Sequence, residues 1–152
     1  MIPGQGVGKI IFGSRKKELN DILGEPDEVQ RPENDERTDW ETYWYSAIKC
    51  SFSFDPGSSD CLVEIIVENG YFHIAKKIRV GLGREDLLKV ASELGFGEYS
   101  LDLIEDSGFS AQEKISYQKV GLQLLLEEKK ISAICLRPFL NQNGSIIWPD
   151  VV

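Results

Sequence analysis

Hydrophobic positions along this chain change period twice, from helical to alternating, and in the same order each time. Ser14 opens the first helical stretch and can cap a helix from about Arg15 to Leu23. Leu19, Ile22 and Leu23 fall at i, i+3 and i+4 and share one face. Gly24 suits a left-handed C-cap, and Pro26 cannot continue the helix. A charged connector over residues 27–37 follows, with little apolar content. From Thr38 the period drops to two and Thr, Trp and Tyr dominate. That pattern predicts strands over Asp39–Tyr45, Ile48–Asp55 and Asp60–Glu68, separated by turns near Ser46-Ala47 and over Pro56–Ser59.

The second pass begins at Lys77. A glycine turn, Gly81-Leu82-Gly83, leads into a helix from about Arg84 to Leu94 with Leu87, Leu88, Val90, Ala91 and Leu94 on its apolar face and Gly95 as cap. Glu98–Glu105, Lys114–Tyr117, Val120–Glu127 and Ile131–Arg137 read as strands, with a turn at Asp106-Ser107-Gly108 and a three-residue loop at Glu127-Glu128-Lys129. The two passes superpose in blocks. Gly13, Leu19 and Ile22 match Gly81, Leu87 and Val90 at an offset of 68, and Tyr45, Ile48, Phe52 and Phe54 match Tyr117, Val120, Leu124 and Leu126 at 72. Ile65 and Val67 match Ile134 and Leu136 at 69. The shifts fall in connectors and turns, where length changes are tolerated. The expected fold is α+β, two tandem repeats of a short helical segment on an antiparallel three- to four-stranded sheet. The first covers residues 1–74 and the second residues 75–152, in one compact unit. The tail around Ile146, Ile147 and Trp148 is expected to dock on the body.

Strand alternation assigns faces. If Asp55 faces Asp60, then Phe54 faces Cys61, Phe52 faces Val63 and Cys50 faces Ile65. Tyr45 opposite Ile48 adds Tyr43 to this side, which the helices must cover. The other side carries Trp40, Trp44, Lys49, Ser51, Ser53, Leu62, Glu64, Ile66 and Glu68. Aromatic and charged side chains mixed in this way typify a protein-binding surface, so Trp40, Trp44, Lys49, Ser51, Leu62, Glu64 and Ile66 are the candidate partner-binding residues. In the second half, Val120, Leu122, Leu124, Leu126, Ile134 and Leu136 face the core, and Gly121, Gln123, Leu125, Ile131, Ala133 and Cys135 face out.

Charge sharpens the expected partner. Residues 1–74 hold 7 Lys and Arg against 14 Asp and Glu, a balance of −7, whereas residues 75–152 hold 10 against 11, a balance of −1. An acidic first half repels phosphate backbones, which argues against nucleic acid, and it speeds encounter with a basic protein. Hydrophobic content of 41% and charged content of 28% are ordinary for a soluble globular chain. No run of about 18 apolar residues predicts a membrane span, and no secretory signal is visible, so the expected compartment is the cytoplasm. The cysteines, Cys50, Cys61 and Cys135, are odd in number and lack a CxxC pair, which predicts reduced, partly buried thiols rather than a disulfide framework or zinc site.

Candidate chemistry is sparse. His73 is the single histidine, and no nucleophile motif surrounds it. Gly4, Gly6 and Gly8 lack the strand before and helix after that a phosphate loop needs. No metal-ligand spacing occurs and no cofactor is expected. The reading is therefore a non-catalytic binding module, an inhibitor or immunity-type protein of a basic partner. The alternatives are a small-ligand protein or enzyme with a pocket between the repeats near His73, and an envelope-assembly factor.

Gly13, Leu19, Ile22, Leu23, Gly24 and Pro26, a glycine turn and a helix ending L-G-x-P before a set of strands, resemble the signature of small helix-plus-sheet repeats. Such repeats build the β-lactamase inhibitor protein fold and the outer-membrane lipoproteins of the SmpA/OmlA type. The resemblance covers roughly residues 8–140 and implies two units in series, helices on one side, and an open sheet face that grips another protein. Two features depart from that pattern: the relatives carry export signals, and here no proline follows Leu94-Gly95.

Overall fold

The computed structural model describes residues 1–31, 39–104 and 112–150. Eight strands form one antiparallel sheet in the order β3-β4-β5-β6-β10-β9-β8-β7. The first four are β3 (Glu28–Gln30), β4 (Glu41–Tyr45), β5 (Cys50–Asp55) and β6 (Cys61–Val67). The others are β7 (Ser100–Ile104), β8 (Gln112–Tyr117), β9 (Leu122–Glu127) and β10 (Lys130–Leu136). Two small hairpins, β1 (Gly6–Val7) with β2 (Ile10–Ile11) and β11 (Phe139–Leu140) with β12 (Ile146–Ile147), stand outside it. Helices α1 (Lys16–Leu23) and α2 (Arg84–Glu93) each precede four of the strands. The α+β class with an antiparallel sheet is the one the pattern of periods predicts.

The order of strands is symmetrical about the β6–β10 pair. The glycine turns before the helices are also held in corresponding ways. Gly13 N donates to Leu62 O at 3.0 Å while Leu62 N donates to Ser14 O at 2.9 Å. Gly81 N donates to Ile131 O at 2.8 Å while Ile131 N donates to Leu82 O at 2.9 Å. Each turn thus ties the start of its helix to the last strand of its own half.

One sheet face carries the core. Phe52, Phe54, Leu62, Ile65, Val67, Ile115, Tyr117, Leu122, Leu124, Leu126, Ile134 and Leu136 are buried there under Leu19 of α1 and Leu87 and Ala91 of α2. Edge-on aromatic pairs fix the first half, Tyr43 with Phe54 at 5.2 Å and Tyr45 with Phe52 at 5.7 Å between ring centres. The Tyr45 hydroxyl donates to Gly24 O at 3.0 Å and so pins the end of α1 to β4. Gly24 has φ 80 and ψ −169, a glycine-only region rather than the left-handed cap expected of it.

Several sequence expectations change. Helix α1 starts at Lys16 with Arg15 rather than Ser14 at its cap, where the Glu18 carboxylate accepts from the Arg15 amide at 2.7 Å. Ile22 is 47% exposed, so α1 covers the sheet with Leu19 and part of Leu23. The connector over residues 27–37 contains a strand, β3, which the pattern missed because only Val29 is apolar; its residues 32–37 lie outside the described residues. The Asp106-Ser107-Gly108 turn lies outside them as well. Tyr45 pairs with Cys50, not Ile48, because four residues, Ser46 to Lys49, make the turn. The expected three-residue loop is Glu128-Lys129 alone, both with positive φ of 49 and 62, the backbone of a type I′ hairpin. Val120 lies in a 3₁₀ turn rather than in β9.

The largest correction has one cause in both halves. Between Ser53 and Phe54 of β5, the partner on β6 jumps from Glu64 to Leu62, leaving Val63 as the extra residue of a bulge. Between Leu126 and Leu125 of β9, the partner on β10 jumps from Ile131 to Ala133, leaving Ser132 extra. A bulge reverses which side alternate residues face. Leu62 and Ile131, both expected on the outer face, therefore point into the core at 0% and 2% exposure.

Gly121 follows the 3₁₀ turn Gln118–Val120 with φ 63 and ψ 36. A Cβ here would overlap the Arg137 carbonyl, and the Gly121 carbonyl accepts from Arg137 N at 2.8 Å. Gly121→Ala is expected to cost about 2–3 kcal/mol, read as a lowered urea midpoint at unchanged m-value.

Candidate protein-binding face

Opposite the core, the outer side of β3 to β6 forms a groove of about 430 Å³. Alternation places each wall. Glu28 and Gln30 come from β3, Thr42 and Trp44 from β4, Ser51 and Ser53 from β5, and Glu64 and Ile66 from β6, with Glu68 just beyond. Cross-strand pairing stacks them in rows. Glu28, Trp44, Ser51 and Ile66 make an aromatic and aliphatic row. Gln30, Thr42, Ser53 and Glu64 make a polar one. Thr42 and Ser53 share a hydrogen bond of 2.9 Å between hydroxyls.

Glu64 is the buried end of the polar row at 8% exposure. Arg137, just past β10, satisfies it: Nη2 lies 2.7 Å and Nε 2.8 Å from the same carboxylate oxygen. Burial is the largest single influence and would lower the Arg137 pKa, but Glu64 and Cys135 together outweigh it and the guanidinium is held above its ordinary value. The guanidinium also sits over the Trp40 ring, 5.8 Å from its centre, which fixes Trp40 at one end of the face. This cluster joins the two halves, since Trp40 and Glu64 belong to the first and Arg137 to the second.

Of the residues singled out from sequence, Trp44, Ser51, Glu64 and Ile66 meet in the groove, and Trp40 flanks it through Arg137. Trp40 and Trp44 are both half-buried. Lys49 is exposed in the turn before β5 with φ 47, off the sheet face. Leu62 is inside, through the bulge. The sequence reading left Glu28, Gln30 and Arg137 out of the site; the alternation Glu-Val-Gln was the one local trace of the first two. His73 does not line this groove, and among the described residues no group of three or more His, Cys, Asp or Glu is placed to hold a metal. Among the same residues, no helix is long and apolar enough to cross a membrane.

All three cysteines are free thiols. Burial pushes Cys50 and Cys135 up to about 12, with Glu68 and Glu64 respectively adding to the effect.

No family model and no curated protein matches the sequence. Among solved structures, a DUF4309-family protein, YjgB, from Bacillus subtilis is similar over 89% of this chain and 88% of its own, at 15% identity and a TM-score of 0.50. An extracellular protein containing an SCP domain, from Bacillus anthracis, is similar at 14% identity and a TM-score of 0.48 over 91% of this chain, which spans 44% of that one. The likeness to YjgB is one of fold.

Three outcomes follow from the site geometry and the buried thiols. A double-mutant cycle on Glu64→Gln and Arg137→Gln in urea is expected to give a coupling of about 1–2 kcal/mol, limited by the partial exposure of Arg137. A thiol reagent at pH 8 is expected to label Cys61 in the folded protein and Cys50 and Cys135 only on unfolding. Because the folded state keeps two protons that the unfolded thiols release from about pH 9, stability falls as pH rises from about 9 toward 12.

Proposed function

We propose that this chain is a non-catalytic protein-binding module, an inhibitor or immunity-type protein that grips a basic partner with the outer face of its first half. The observation that carries this reading is the groove itself, where Trp44 and Ile66 stand beside the Glu28, Glu64 and Glu68 carboxylates over a floor of hydroxyls. An aromatic anchor inside a polar, acidic rim is the make-up of an interface hot spot. Glu28 and Glu68 are exposed and available to meet cations. The first half's balance of −7 would steer a basic surface toward it. The symmetrical strand order and the corresponding glycine turns support a duplicated unit, and the helix-then-strands arrangement supports the resemblance to the β-lactamase inhibitor protein fold. Three free thiols suit a reducing compartment, and we place the protein in the cytoplasm.

Affinity capture from the native host with mass spectrometry tests this reading. Wild type is expected to retain a basic protein in a salt-sensitive manner. Trp44→Ala and the charge reversal Glu28→Lys/Glu68→Lys should each weaken retention about tenfold or more while unfolding remains cooperative. Retention that survives both variants would remove the groove from the interface.

A further inference from the structure

The sheet ends differ in how they are protected. Natural sheets blunt an open edge with short strands, Lys, Pro, bulges or a covering loop, because its free N–H and C=O groups template another strand. Edge strand β3 follows this rule: it is three residues long, with Val29 between Glu28 and Gln30. Edge strand β7 does not. It runs five residues, Ser100-Leu101-Asp102-Leu103-Ile104, contains neither Lys nor Pro, and among the described residues pairs on one side only, with β8, without a bulge. Leu101 and Leu103 share one side of it and are 40% and 67% exposed.

The charges of β7 and β8 themselves are paired locally. Asp102, the one charge on β7, lies 3.7 Å from Lys114 of β8, and Glu113 of β8 lies 3.2 Å from Arg84 of α2. Neither β7 nor β8 therefore carries an unpaired charge that would favour a basic segment over a copy of the strand itself.

We propose that β7 pairs antiparallel with β7 of a second copy of this chain, across a twofold axis that joins two eight-stranded sheets into one. An antiparallel edge is self-complementary, so the same five residues serve both sides of an isologous contact. The occupant must be an extended strand, because only a strand answers the row of free main-chain groups. A dyad at Leu101 sets the two Leu101 residues against each other and Leu103 of each copy against Tyr99 of the other, keeps Asp102 opposite Ser100 rather than opposite its own copy, and completes an apolar patch that neither copy covers alone. Self-pairing at this end also minimises repulsion. The half with a balance of −1 is brought together, while the β6 strands of the two −7 halves stay about 40 Å apart at about 4.8 Å per strand. That separation is several times the Debye length of about 8 Å at physiological salt.

Sedimentation velocity of the full chain over a concentration series tests the pairing. Wild type is expected to shift reversibly from monomer to dimer. Leu103→Lys, at an exposed position that leaves the unfolding midpoint unchanged, should raise the dimer dissociation constant by about tenfold or more. Val29→Lys on the opposite edge should leave the dimer intact. Hydrogen exchange should show β7 amides gaining protection with concentration. A wild type that stays monomeric at high micromolar concentration overturns the proposal, as does a dimer that survives Leu103→Lys, or one that Val29→Lys breaks.

Discussion

Everything in this structure hangs on the pairing of β6 with β10. Val67 faces Ile134, Ile66 faces Cys135 and Ile65 faces Leu136. Each of these strands is the last of its half, and each would otherwise be a long hydrophobic edge. Ile65, Val67, Ile134 and Leu136 are at 0% exposure, so the middle of the sheet is also the centre of the core. A single run of main-chain hydrogen bonds thus removes two dangerous edges and fuses two four-stranded sheets. The edges that remain are β3 and β7, at opposite ends and of opposite character.

Side chains on the other face reinforce the same seam. Arg137 leaves β10 and reaches back to Glu64 on β6, and its guanidinium then positions Trp40. A carboxylate at 8% exposure is costly unless paired, and its partner comes from the far half of the sequence. The shape of the first half's outer face therefore depends on the second half being folded. The Cys135 thiol, facing the same side, stays protonated under this pair and adds no competing charge.

Periods and glycine punctuation made the elements legible in sequence: both helices, seven of the eight sheet strands and both core stripes follow from apolar spacing. Alternation was enough to put Trp44, Ser51, Glu64 and Ile66 on a common face, because a four-residue turn and a register shifted by two preserve parity. It failed where parity itself is broken. Val63 and Ser132 look like ordinary strand residues, and nothing in their chemistry announces a bulge, so Leu62 and Ile131 were assigned to the wrong side. Strand β3 was hidden for a different reason: an edge strand with one apolar residue earns little from burial and leaves little pattern. Arg137 could not be linked to Glu64 because 73 residues separate them and only the strand order brings them together.

The two bulges have a meaning for how this fold tolerates change in length. Each sits between the hairpin end of its strand and the seam. On the seam side the in-and-out order is locked by pairing with the other half; on the hairpin side it answers only to the local core. The bulge acts as an expansion joint between these segments. A residue gained or lost in the loop between β5 and β6 can be taken up at Val63 without rotating Glu64, Ile65 or Ile66. Loops at the ends of the molecule can therefore drift in length while the centre keeps its register.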